Sequence, residues 1–140
     1  MSGEGLISVR LPRALLERFR KAAQHSNRDL HGGARFLISY LDSLSPDELA
    51  SIPEPPRELD NLRVSLYVGQ HCIDILADIS QKTQLSVSSI FRRLAYGLFV
   101  TRTLRFVQHS ENKQWHLVHA QSGAESMSFQ DREKTISAAS

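Results

Sequence analysis

The chain has 140 residues, 41% of them hydrophobic and 23% charged, with a formal net charge of +2, which allows one compact domain, or one domain with tails, around an ordinary apolar core. A single cysteine, Cys72, excludes an internal disulfide and any multi-cysteine metal site. No stretch approaches the roughly 20 apolar residues that cross a membrane, and Met1-Ser2-Gly3-Glu4 lacks the basic start and apolar run of a signal peptide, so a cytoplasmic protein is expected.

Leu6-Ile7-Ser8-Val9-Arg10-Leu11 alternates with the period of two that marks a strand with one buried face. Ile7, Val9 and Leu11 would point inward, Ser8 and Arg10 outward. Pro12 then stands at a helix start, where its missing N–H costs little. Leu15, Leu16, Phe19, Ala22 and Ala23 follow at the i, i+3, i+4, i+7 spacing of a helix with one apolar face. The polar turn His25-Ser26-Asn27 closes that helix. A second helix is predicted from the N-cap residue Asp29, with Gly33, Ala34, Leu37, Ile38 and Leu41 inward. Each glycine of Gly32-Gly33 costs about 1 kcal/mol in a helix relative to alanine. Such a pair serves a close approach, either of helix to helix or of backbone to phosphate. An oxyanion loop at His31-Gly32-Gly33 has no nucleophile motif such as G-x-S-x-G to accompany it. Further on, Ser45-Pro46-Asp47-Glu48 matches a capping box with proline at the first helical position and predicts a short helix to about Ile52. Pro53-Glu54-Pro55-Pro56 then forces an extended, stiff path.

From residue 62 the pattern returns. A shift of 57 positions lays residues 6–41 onto 63–98 without a gap. Arg63-Val64-Ser65-Leu66-Tyr67-Val68 is the second strand, with Val64, Leu66 and Val68 inward. Cys72, Ile73, Leu76, Ile79 and Ser80 take the places of the first helix's apolar residues. Lys82-Thr83-Gln84 is the turn and Ser86 the N-cap. Ile90, Phe91, Leu94, Ala95 and Leu98 line the second helix. Some 40 residues bury too little surface to fold alone, and a lone strand leaves its backbone groups unpaired. Antiparallel pairing of the two strands over four interlocked helices solves both problems.

The basic charge falls in the two copies. Residues 5–41 hold seven Lys/Arg against two acids and residues 62–105 hold six against two, whereas 42–61 hold one against six. Two basic blocks suit a polyanion-binding surface. They equally suit two helical segments with solvated basic faces. An acidic linker would be repelled by a polyanion and is expected on the far side of the ribbon.

Together, Ile7-Ser8-Val9-Arg10-Leu11-Pro12, Leu15-Leu16, Phe19, the turn Ser26-Asn27-Arg28-Asp29, and Leu37-Ile38 resemble the ribbon-helix-helix (MetJ/Arc/CopG-like) superfamily. The likeness covers about residues 5–42 and 62–104. The second copy departs from it, with Val68-Gly69 in place of Leu-Pro, and is joined to it by the ungapped shift. The tandem single-chain arrangement resembles relaxosome accessory proteins of the TraY type. The expected fold is mainly α with a two-stranded antiparallel ribbon, a tandem ribbon-helix-helix pseudo-dimer in one chain. Unit one spans 5–44, an acidic Pro-rich linker with a short helix 45–61, unit two 62–106 and a C-terminal tail 107–140.

The resemblance implies that the ribbon enters the major groove of double-stranded DNA and that its outward side chains read base edges. Here these are Ser8, Arg10, Arg63, Ser65 and Tyr67. Leu6 occupies the position of Arg63 and fits a thymine methyl rather than a hydrogen bond. Because the two strand faces differ, one chain is expected to read an asymmetric half-site, and two chains side by side would cover repeats of it. The resemblance also implies phosphate contacts at the N-terminus of each second helix, where free N–H groups and the helix dipole favour an anion. The candidates are Arg28 and His31 in the first copy, opposed by Asp29, and Ser86, Ser88 and Ser89 in the second. Helix capping accounts for Asp29 and Ser86 as well, without excluding contact.

The function implied is sequence-specific DNA binding, as a transcriptional repressor or as an accessory factor at a plasmid, conjugative or phage DNA site. A protein-interaction module is the alternative, such as an antitoxin that holds a toxin by its C-terminal tail. A third reading is an assembly element of the same fold that has lost DNA binding. No nucleophile, carboxylate pair or metal constellation outweighs the helical core pattern, so neither enzymatic activity nor a cofactor is expected. Gln114-Trp115-His116-Leu117-Val118-His119 suits a short strand at 114–119 that sets Trp115 on a partner surface. Residues 121–140 are rich in Ser and Ala without periodicity and are expected to be flexible. His109, His116 and His119 have no acidic or cysteine ligand at matching spacing, so no metal is expected there.

Overall fold

A computed structural model describes residues 5–56, 61–108 and 110–120. In chain order they form β1 (Leu6–Pro12), α1 (Arg13–His25), α2 (Leu30–Ile38), a 3-10 turn (Leu41–Ser43), α3 (Pro46–Ser51), β2 (Asn61–Tyr67), α4 (Gln70–Thr83), α5 (Val87–Phe99), β3 (Leu104–Gln108) and β4 (Trp115–His119). The fold is mainly helical, with two small antiparallel sheets, β1–β2 and β3–β4. Residues 57–60 of the linker, His109, and the segment 121–140 expected to be flexible lie outside the described residues. Among the described residues no helix is long and apolar enough to cross a membrane.

β1 and β2 pair along their whole lengths, from Leu6 opposite Tyr67 to Pro12 opposite Asn61. Ser8 stands opposite Ser65, and the same two residues are equivalent under the 57-residue shift. The register is therefore symmetric about that pair. Alternation does what the period-two pattern requires: Ile7, Val9, Leu11 and Leu66 are buried, while Ser8, Arg10, Arg63, Ser65 and Tyr67 are exposed. The helices beneath are exchanged between the copies. α5 packs on β1 and α2 on β2, and both touch α1 and α4. The strand of each copy thus rests on the second helix of the other. At the centre Phe19 of α1 meets Phe91 of α5 edge to face, with ring centroids 5.5 Å apart.

The copies part company where strand turns into helix. Pro12 is the last residue of β1 and the N-cap of α1, not its first helical residue, at φ −57°. Its counterpart Gly69 caps α4 at φ +88°, a conformation open to glycine. Burial differs too. Ala22, Val64, Ile73 and Ser80, expected in the core, are only half-buried, whereas Ile75 is buried. α3 packs against α4, and among the described residues no helix takes the equivalent place beside α1. Arg18, equivalent to Ile75, is accordingly exposed and donates to the Phe99 carbonyl at 3.0 Å. The capping box of α3 is complete: Ser45 Oγ accepts from Glu48 N–H and Glu48 Oε1 from Ser45 N–H. Of the two alternatives for Gly32-Gly33, Gly33 serves helix-to-helix approach. A Cβ there would stand 3.0 Å from Ala23 Cβ and 3.3 Å from the Phe19 ring.

Two expectations need correction. The acidic linker does not keep to the far side of the ribbon. Its chain must reach Asn61, which pairs with Pro12, so Glu54 ends up at the ribbon's edge, 2.6 Å from Arg92 Nε. Likewise residues 107–120 are no detached tail. The strand expected at 114–119 is β4, but it pairs with β3, which straddles the boundary drawn at 106–107. Leu104 and Leu117 of this hairpin are buried in the common core. Phe106 packs tilted on Phe36 and edge to face on Tyr40, with ring centroids 5.7 and 5.2 Å apart.

Candidate functional site

The ribbon gathers five sequence-predicted residues on one exposed face. Arg10 faces Arg63, Ser8 faces Ser65, and Leu6 faces Tyr67, which is 53% exposed. The Arg10 N–H and C=O are both engaged at the ribbon's outer edge, by Ser88 and Arg92. Its pair with Arg63 is therefore of the non-hydrogen-bonded type, in which facing Cα atoms stand only about 4.5 Å apart. Like charges placed so are destabilising. Among the described residues no acid forms an ion pair with either guanidinium.

The ribbon's edges are covered by side chains from the second helices, in matching positions. Ser88 Oγ accepts the Arg10 N–H at 2.9 Å, and His31 Nδ1 accepts the Tyr67 N–H at 2.9 Å. Arg92 Nη1 donates to the Arg10 carbonyl at 3.3 Å, and Arg35 Nη1 to the Tyr67 carbonyl at 2.9 Å. Each of these four contacts maps onto its partner by the 57-residue shift. Arg35 and Arg92 were not among the sequence candidates. Their signal was present, since they are identical residues at equivalent positions of the repeat.

The helix N-termini expected to touch phosphate are unlike one another. At α2, Asp29 Oδ1 accepts the Gly32 N–H at 2.7 Å. Arg28 lies with its guanidinium 4.1 Å from the Phe36 ring centroid, a cation–π contact that leaves its charge available. It stands at the lip of a recess walled by Phe19, Phe36, Phe99 and Phe106. At α5, Ser86 is exposed and accepts the Ser89 N–H at 3.0 Å. Ser89 itself is only 5% exposed. Its hydroxyl accepts from Arg93 Nε at 3.1 Å and faces Glu54, so the helical turn aims it inward at the linker and not at a ligand outside. Ser88 holds the ribbon edge and accepts from Arg92 Nη1 at 2.7 Å.

Glu54 joins these groups. Burial alone would raise its pKa, but the hydrogen bond and charge of Arg92, the Ser89 hydroxyl and the charge of Arg93 outweigh that and hold the carboxyl below its usual value. Arg93 also donates to the carbonyls of Ala50 and Ile52. The pair Arg92–Arg93 thus ties α3 and the linker to α5.

Burial pushes the Cys72 thiol up, partly offset by the charge of Arg35, which makes it a poor nucleophile. His119 is buried with Nε2 3.0 Å from Ser51 Oγ, and His116 is half-buried. Among the described residues no three His, Cys, Asp or Glu side chains cluster to hold a metal ion. Compared with protein-family models, with curated proteins and with solved structures, the chain gives no match.

Proposed function

We propose that the chain is a sequence-specific DNA-binding protein whose two copies form a ribbon-helix-helix pseudo-dimer, with the β1–β2 ribbon lying in the major groove of a duplex. One observation carries the reading: Arg10 and Arg63 face each other on an exposed ribbon with no acidic partner among the described residues. That arrangement costs stability in the free protein and is relieved when an anionic surface receives both guanidinium groups. A two-stranded ribbon fits the width of the major groove, where arginine bonds guanine O6 and N7 together. Arg28 and the Ser86 end of α5 flank the ribbon as phosphate contacts. His31 and Ser88 act first as supports of the ribbon's edges, and the protein works without enzymatic activity or cofactor.

Under this reading the protein is a repressor or a DNA-site accessory factor in the cytoplasm, associated with nucleoid or plasmid. The test is a salt titration of binding to random duplex and to duplexes selected by the protein. A steep fall of log affinity with log salt on both, together with tighter binding to the selected sites, is expected. Absence of duplex binding would overturn the reading in favour of an assembly element. A protein partner at the hairpin is the second reading, favoured by Trp115, which stays 48% exposed on β4.

A further inference from the structure

The symmetric register of the ribbon carries an unsymmetric set of side chains. Ser8 and Ser65 mark the middle. Two residues to one side stand Arg10 and Arg63; two residues to the other stand Leu6 and Tyr67. Had the two strands been identical, each end would carry the same pair. Instead both cations lie at one end, and the aromatic and aliphatic groups lie at the other.

We infer that the ribbon reads a polar DNA site, with guanines under the Arg10–Arg63 end and thymines under the Leu6–Tyr67 end. This rests on the DNA-binding reading above and adds the base classes and their order. The chemistry follows from what each end offers. Guanine alone presents two major-groove acceptors, O6 and N7, that match an arginine fork, and two facing arginines reach two neighbouring guanines. Leu6 has nothing to donate, and its apolar surface matches the C5-methyl of thymine. Tyr67 adds an exposed ring edge and one hydroxyl.

The two ends also have a fixed separation. Four residues along a strand span roughly 14 Å, which is about four base-pair steps along the duplex. Ser8 and Ser65 between them accept or donate to any base and impose little choice. The linker adds to the polarity. Glu54 is held by Arg92 at the Arg10 end, and the cleft there is lined by Arg10, Glu54 and Asn61. A carboxylate so placed accepts a cytosine amino group.

Selection of bound duplexes from a randomised pool, using the full chain, tests this directly. The expected outcome is a non-palindromic core with G·C pairs at one end and A·T pairs about four steps away. Replacing the guanines by 7-deazaguanine should weaken binding on the order of 10-fold, and the double substitution Arg10→Ala with Arg63→Ala should erase preference at the G·C end only. Tyr67→Ala or Leu6→Ala should erase it at the A·T end only, as should deoxyuridine in place of thymine. These side chains are exposed or half-exposed, and a cooperative thermal melt confirms that each variant folds. A palindromic core, or loss of preference at both ends from one pair of substitutions, overturns the inference while leaving DNA binding intact. Retention of no duplex at all overturns both.

Discussion

His31 accepts the backbone N–H of Tyr67 through Nδ1 at 2.9 Å and sets its ring 5.6 Å from the tyrosine ring. The acceptor role fixes the tautomer, with the proton on Nε2. Fifty-seven residues later Ser88 does the same for Arg10. An imidazole and a hydroxyl thus perform one task, closing an open strand edge that would otherwise present unpaired donors. His31→Ala should speed hydrogen exchange at the Tyr67 amide and lower stability by about 0.5–1.5 kcal/mol. Ser88→Ala should do likewise at the Arg10 amide. Exchange measured by NMR decides it, and unchanged protection at both amides would refute the edge-closing role.

Burial of the ribbon's inner face gives a harsher test. Val9 and Leu66 are fully buried, and a lysine at either place would bury an unpaired charge at a cost of several kcal/mol. Because each strand rests on the other copy's helix, Val9→Lys and Leu66→Lys should each abolish the whole cooperative transition in urea. Retention of half the helical signal in either variant would mean that the copies fold independently.

Gly33 predicts a packing effect. A methyl group there meets Ala23 Cβ at 3.0 Å and the Phe19 ring at 3.3 Å, too close for α1 and α2 to keep their spacing. Gly33→Ala should therefore destabilise by about 1–3 kcal/mol, despite the better helix propensity of alanine. Equilibrium denaturation checks the sign.

Glu54 sets a pH dependence. Its folded-state pKa lies below the usual value, so its stabilisation is present above the unfolded-state pKa and is lost as pH falls through the folded one. The carboxylate side chain is 35% exposed, and screening limits the effect to about 0–1 kcal/mol. Glu54→Gln should be slightly less stable than wild type at neutral pH and equal to it in acid. Urea midpoints at the two pH values measure this, and a deficit that persists in acid would assign the loss to packing instead.

Arg28 separates two roles. Arg28→Ala should weaken binding to selected and random duplex alike and reduce the salt slope by about 1. It should also lose roughly 0.5–1 kcal/mol of stability with the Phe36 contact. A stability loss with an unchanged salt slope would leave Arg28 as a packing residue alone.

The two ribbon strands, their buried faces and the four long helices were legible because alternation and helical spacing are written in residues such as Val9, Phe19, Leu66 and Leu94. The antiparallel pairing followed from the repeat, whereas the register, with Ser8 opposite Ser65, is a finding of the structure. The β3–β4 hairpin was half legible. Leu104 and Phe106 alternate with Arg105 and Val107 in too short a run to stand out, although the polar stretch to Lys113 before Trp115 is a hairpin signal. The edge contacts of Arg35 and Arg92 were not legible from either copy singly, since an arginine on a helix face reads as solvated. Ser89 was misread for a related reason: sequence shows a serine at a helix start but not that the turn aims it at Glu54.

The strand pairing also sets a timetable for synthesis. Paired residues of β1 and β2 lie 49 to 61 positions apart in the chain, and everything between them must leave the ribosome before the first ribbon hydrogen bond can close. At 5–20 residues per second the innermost pair waits about 2.5–10 s. Helices α1 and α2 need no such wait, because their bonds are local. During the delay β1 is a finished strand without a neighbour, with Ile7, Val9 and Leu11 open to any extended chain nearby. On that strand the charge of Arg10 and the missing N–H of Pro12 are the features that disfavour pairing with a foreign chain.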